Sequence, residues 1–99
     1  MRTEYLGVVG EITTLPGCSQ VAVSHNVFNT NPGSHMGQSA NTHRMHEMKR
    51  LGYDYTICTV HDENTAQVRI MEKNNWTWLS SFVSRKTGHQ VRLYGKKLL

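Results

Sequence analysis

Two cysteines in 99 residues, Cys18 and Cys58, stand far apart and in no CxxC spacing. That excludes a disulfide framework and a paired-thiolate metal or redox motif. In a reducing compartment they read as one loop thiol and one buried strand thiol. No apolar run approaches the roughly 18–20 residues of a membrane span, and residues 1–10 have no signal-peptide core, so the expected setting is the cytoplasm, with no membrane partner. The length suits one domain, 1–99, and leaves no room for a separate substrate domain. Apolar residues make up 37% and charged residues 18%, the balance of a folded chain. Repeats, linkers and low-complexity stretches are missing.

Acidic residues are the minority: seven Asp+Glu against eleven Lys+Arg give a formal charge of +4. A mildly basic chain suits an anionic partner such as a phosphorylated cofactor, a nucleic acid or an acidic protein. The excess gathers only near the end, at Arg85, Lys86, Arg92, Lys96 and Lys97, where a solvated hairpin face is the plain explanation.

Residues 5–13 carry Leu6, Val8, Val9 and Ile12 with Gly7 and Gly10, and read as one twisted strand with room for a bulge. Pro16 and Gly17 mark a turn. Residues 20–28 alternate, with Val21, Val23 and His25 on one side and Ala22 and Ser24 on the other, as in a half-buried strand antiparallel to the first. Residues 29–34 are the strongest loop signal. Residues 39–51 form a predicted helix with Met45, Met48 and Leu51 on its apolar face, Arg44, Glu47 and Arg50 facing away, and Gly52 as C-cap. A strand over 53–60 puts Tyr55, Ile57 and Thr59 on one face and Cys58 and Val60 on the other. Asn64 with Gln67 resembles a capping box opening a helix over 65–73. Strands over 76–83 and 90–94 close the chain. The expected class is α/β or α+β, helices packed on a mixed sheet.

The run NTAQVRIMEKNNW, residues 64–76, resembles the signature that follows the fifth strand of the GNAT superfamily of acyl-coenzyme A-dependent N-acetyltransferases. Asn64, Ala66, Ile70, Glu72, Lys73 and Trp76 fall at the family's spacing. Leu51-Gly52-Tyr53 is similar to the family's helix-to-strand join, and the closing strand pair to its terminal hairpin. The resemblance covers about two thirds of the chain. It implies a GNAT-like, mixed, mostly antiparallel sheet with two helices, lacking the N-terminal strand and helices of full-length members.

The resemblance also implies acetyl-CoA as cofactor. The family binds the pyrophosphate on a glycine-rich turn opening a helix, where unpaired N–H groups and the helix dipole meet the anion. By resemblance that turn is Ser34, His35, Met36, Gly37, Gln38, Ser39 and Ala40. The acyl-pantetheine arm would lie where strand 20–28 splays from strand 53–60, with Asn64 at its far end. Two departures stand out. Ser34 occupies the family's basic position, removing a charge-assisted contact of about 1.5–3 kcal/mol, which Arg44 or His35 would have to replace. Met71 replaces an aromatic that is often a proton-donating Tyr, and a thioether donates no proton.

An amine must lose a proton before it attacks a thioester. Strand 20–28 has no carboxylate, so His25 is its candidate general base, with Glu11 on the neighbouring strand as a second. Each also reads as an ordinary strand or surface residue. Tyr94 or Tyr55 are the candidate acids, or else packed strand tyrosines. His43 and His46 sit three apart on a helix, but no Cys pairs with them, and no metal site is assigned. Cys58, mid-strand without a base, is no nucleophile. Trp76 and Trp78 read as core and cleft wall; base stacking beside the basic tail is the alternative, and nucleic acid is not the expected partner. Two functions fit. One is acetyl transfer from acetyl-CoA to a primary amine, including that of a protein, with a homodimer to cover the sheet. The other is a catalytically degenerate GNAT-fold binding protein that inhibits or regulates a larger partner.

Overall fold

The computed structural model describes residues 1–5, 8–29 and 37–99. Six strands and two helices follow in the order β1 (Arg2–Tyr5), β2 (Val8–Leu15), β3 (Cys18–Asn29), α1 (Gly37–Arg50), β4 (Tyr55–His61), α2 (Thr65–Lys73), β5 (Thr77–Val83) and β6 (Gln90–Lys97). They form one sheet of order β1-β2-β3-β4-β6-β5. Only β3 and β4 run parallel; the other neighbours are antiparallel. The mixed, mostly antiparallel sheet with two helices is therefore as expected.

Local chemistry accounts for the joins. Leu15 pairs with Cys18 across Pro16 and Gly17, and Gly17 has φ 81°. That left-handed value is open to glycine at the third position of a turn that proline starts. At the end of α1, Gly52 has φ 89°. Its N–H donates to Lys49 O at 3.0 Å and the Tyr53 N–H to Met48 O at 3.2 Å, a Schellman close. The side chain of Asn64 caps α2 by accepting from the Gln67 N–H at 3.2 Å.

Both helices cover one face of the sheet. Ile12, Ala22, Met48 and Leu98 form one buried cluster, Cys58, Val60, Met71, Trp76 and Tyr94 another, and Met45 of α1 packs against both. Burying side chains of this size contributes about 1.5–3 kcal/mol each. The opposite face carries His25, Ile57 and Thr59, and at its β5 edge Leu79 and Phe82, both exposed.

Three expectations are corrected. Residues 5–13 are not one strand: Arg2–Tyr5 and Val8–Leu15 are two antiparallel ones, and the pairing of β2 with β3 is irregular between Val9 and Gly10 and again between Thr14 and Leu15. Arg44 does not face away from the sheet but is buried, while Leu51 is exposed. The face of α1 that packs inward runs through Ala40, Asn41, Arg44 and Met48, so the helix is rotated from the Met45-Met48-Leu51 stripe. Trp78 is not a cleft wall; it is 54% exposed and lies beneath the Arg92 guanidinium, 4.0 Å from the ring centre. Among the described residues no helix is long and apolar enough to cross a membrane.

Candidate functional site

The site follows from how β3 and β4 meet. They pair only at Val21 with Tyr55, Ala22 with Thr56 and Val23 with Ile57. Past those pairs the strands part. The inner edge of β3 from Ser24 and that of β4 from Cys58 face a gap, each strand still held on its outer side by β2 or β6. A strand edge that pairs with nothing presents N–H and C=O groups for a ligand.

The gap is a cavity of ≈ 390 Å³. Ser24 and His25 line one wall and Cys58, Thr59, Val60 and His61 the other, while Asn41 and Arg44 of α1 and Asn64, Gln67 and Met71 of α2 close it on the helix side, with Trp76 beside them. Asn41 near the start of α1 and Asn64 at the start of α2 both line the cavity, and neither helix has an acidic residue in its first turn. Helix starts carry partial positive charge that favours an anion, with Asp62 and Glu63 preceding the Asn64 cap of α2.

The lining holds one permanent cation and no Asp or Glu. Arg44 is 5% exposed. Its side chain runs under β2, where a Cβ on Gly10 would come within 2.9 Å of its Nη1. Desolvation lowers the Arg44 pKa, while the neighbouring Cys58 acts in the opposite sense. Three buried polar atoms of the lining have no hydrogen-bond partner: Arg44 Nε, Trp76 Nε1 and Asn41 Oδ1. Burial pushes the Cys58 thiol up to about 12, against a weaker opposing effect from Arg44, which keeps it protonated and unreactive. Its Sγ lies 3.8 Å from Met71 Sδ.

The fold has counterparts of known structure. N-acetyltransferase from Staphylococcus aureus matches with TM-score 0.79 and 11% identity over 93% of this chain and 61% of its own. An acetyltransferase of the GNAT family from Bacillus anthracis gives 0.73 and 18% over 92% and 58%. The yncA protein of Salmonella typhimurium, solved with its cofactor acetyl-CoA, gives 0.77 and 13% over 94% and 58%. The fold is that of the GNAT acetyltransferases. No protein-family model matches the sequence, and no curated protein matches it. The chain spans about three fifths of the length of these GNAT structures.

Within the GNAT fold the sequence-derived residues fall as follows. Ser34, His35 and Met36 lie outside the described residues. Gly37, Gln38, Ser39 and Ala40 are the first turn of α1. Asn64 caps α2 and lines the cavity. His25 lines the cavity too, is exposed, and has Thr13 Oγ1 at 3.5 Å from its Nε2. Glu11 stands opposite His25 in the β2–β3 register, outside the lining, with the N-terminal amine 3.5 Å from its Oε1. Tyr94 is packed in the core, 1% exposed, with its hydroxyl 3.2 Å from Arg92 Nη1 and no part in the lining. Tyr55 is likewise outside the lining. His43 stacks on Tyr5 at 4.6 Å between ring centres, and no group of three metal-binding side chains occurs among the described residues. Asn41 and Gln67 have no site role in the sequence reading, and Arg44 enters it only as a substitute for the phosphate contact missing at Ser34. The one signal for them is position, in the first two turns of helices that open beside the parting strands.

Proposed function

We propose that this chain binds acyl-coenzyme A between β3 and β4 and passes the acyl group, acetyl being the simplest, to a primary amine. The observation that carries this is the parting of the one parallel strand pair after three residue pairs, beside two helices whose first turns hold no acidic residue. The residues present fit the cofactor. Its pantetheine arm has two amides that match the unpaired inner strand edges, Arg44 Nε and Trp76 Nε1 are buried donors without partners, and the first turn of α1 offers backbone N–H groups to a diphosphate. Asn64, at the start of α2, is part of the same lining.

Bound coenzyme A supplies a thioester whose acyl carbon is open to an amine. His25, exposed on the face away from the helices and lining the cavity, takes the amine's proton. Glu11 stands opposite it in the β2–β3 register. The inner strand edges orient the arm, so positioning supplies much of the rate. The acceptor approaches on the open face, where a protein amine has room. The exposed Leu79 and Phe82 of that face form the contact of a homodimer, expected as twice the chain mass in sedimentation. Two free cysteines and coenzyme A chemistry suit a cytoplasmic setting.

One observation favours the second reading, a binding protein without catalysis. Met71, at the position where the family often has a tyrosine, lines the cavity and donates no proton, and Tyr94 is turned into the core. Calorimetry separates the two. Acetyl-CoA is expected to bind at micromolar affinity or tighter, on the order of −8 kcal/mol, and several-fold more weakly to Gly37→Asp, which sets a carboxylate against the phosphates. His25→Ala is expected to lower amine-dependent thiol release without changing coenzyme affinity. Binding with no thiol release across a panel of amines means a binder, and no binding removes the acyltransfer function.

A further inference from the structure

Arg44 is the feature of the cleft that an acetyl group leaves unexplained. It is the one permanent cation in the lining and is 95% removed from solvent, at 5% exposure. No carboxylate pairs with it among the described residues, and residues 6–7 and 30–36 contain no Asp or Glu. Its Nε has no acceptor. The Trp76 Nε1 in the same cavity is a second donor without a partner. A buried cation with no counter-charge is costly, and proteins keep one where a ligand brings the charge.

Its level in the cleft says which part of a ligand it meets. Arg44 is two turns into α1 from Gly37, away from the mouth. It lines the cavity with Ser24, the first residue past the paired segment, and its guanidinium lies close to Gly10 of β2, which pairs with Asn26. An arm that enters from the helix starts and runs toward the meeting point of β3 and β4 brings its acyl end, not its phosphates, to this depth.

We propose that the cleft selects an acyl chain ending in a carboxylate, of the malonyl or succinyl kind, with the Arg44 guanidinium receiving that carboxylate. This rests on the acyl-coenzyme A function proposed above. Charge-assisted N–H···O⁻ bonds at a desolvated guanidinium supply the preference, and the two nitrogens of its fork suit a planar carboxylate. A neutral acyl chain of the same length fills the space and leaves the charge unpaired.

The test is calorimetry with succinyl-CoA and butyryl-CoA, which match in carbon count and differ in the terminal charge, alongside acetyl-CoA and coenzyme A itself. In the wild-type chain succinyl-CoA is expected to bind about ten-fold or more tightly than butyryl-CoA. Arg44→Met is expected to erase the difference, and Arg44→Lys to keep part of it, because a point charge remains without the fork. Equal affinities for succinyl- and butyryl-CoA in the wild type overturn the selectivity while leaving coenzyme A binding intact, and this comparison needs no variant. If Arg44→Met instead weakens coenzyme A and all its thioesters alike, Arg44 serves the phosphates and the proposal falls. If none of the four binds, the acyl-coenzyme A function fails and takes this proposal with it.

Discussion

Replacing Arg44 by methionine should make the ligand-free protein more stable. The side chain is buried, its methylenes pack between α1 and β2, and its Nε is a donor with nothing to donate to. Methionine keeps an unbranched apolar stem of similar reach and discards the charge. Leaving a buried polar group unpaired costs about 1–3 kcal/mol, and more where it is charged. Substituting a buried charge by a well-packed apolar residue has stabilised other proteins by a similar amount. For a chain of 99 residues a gain of 1–3 kcal/mol corresponds to a rise in Tm on the order of 5–15 °C. Differential scanning calorimetry reads the shift. Urea unfolding checks that the dependence on denaturant is unchanged, so that the native state and not the unfolded one has moved. A succinyl-CoA-saturated sample should show the reverse order, since the ligand stabilises the wild type and not the variant. A Tm at or below that of the wild type without ligand would refute the reasoning, because the guanidinium would then be no burden on the free protein.

Further outcomes follow from the same structure. Gly95→Ala places a Cβ that overlaps the Tyr55 hydroxyl and lies 2.8 Å from Leu79 Cδ1, so it should destabilise by about 1–3 kcal/mol in chemical denaturation, and a Gly95→Ala/Tyr55→Phe double variant should recover part of the loss. Asn64→Ala removes the cap on α2 and should cost about 0.5–2 kcal/mol, whereas Asn64→Asp, which keeps an acceptor for the Gln67 N–H, should cost far less in the same assay. Cys58 has a folded pKa of about 12, raised from an ordinary 9.0. The stability tied to its protonated form is therefore complete below about pH 9 and drains away as pH rises toward 12. Melts of wild type and Cys58→Ala should differ by a constant amount up to pH 9 and converge above it. At pH 8 an alkylating reagent should label Cys18, which is partly exposed, and spare the buried Cys58 until urea unfolds the chain.

The features legible in the sequence are those set by neighbouring residues. Pro16-Gly17, Gly52 after α1, and Asn64 with Gln67 each specify a turn or cap through their own dihedral limits and short-range hydrogen bonds. Each appears where the residues placed it. The alternation of Cys58 and Val60 against Ile57 and Thr59 likewise survives intact. What escaped depends on partners far along the chain. Met45, Met48 and Leu51 make a plausible apolar stripe for α1, yet the helix turns Asn41 and Arg44 inward because the cavity beneath it is polar. No hydrophobic pattern flags a face that binds through an amide and a guanidinium. Of β1, only Thr3 is buried, so a four-residue edge strand gives almost no alternation to detect. Tyr94 was an open candidate acid because register decides whether a strand tyrosine meets the cavity or the core. Its pairing with Cys58 and the Arg92 contact set it in the core.

The three residue pairs between β3 and β4 also bear on how the chain reaches its native state. β1, β2 and β3 pair antiparallel in chain order, an arrangement whose closure entropy is small. The parallel joint, by contrast, needs the whole crossover through α1 before Val21 meets Tyr55, and such non-local pairings form slowly. Substitutions at Ala22 or Thr56, central to that joint and fully buried, would therefore register in the rate at which the two sections dock, while changes in the β2–β3 turn would leave the docking rate largely untouched.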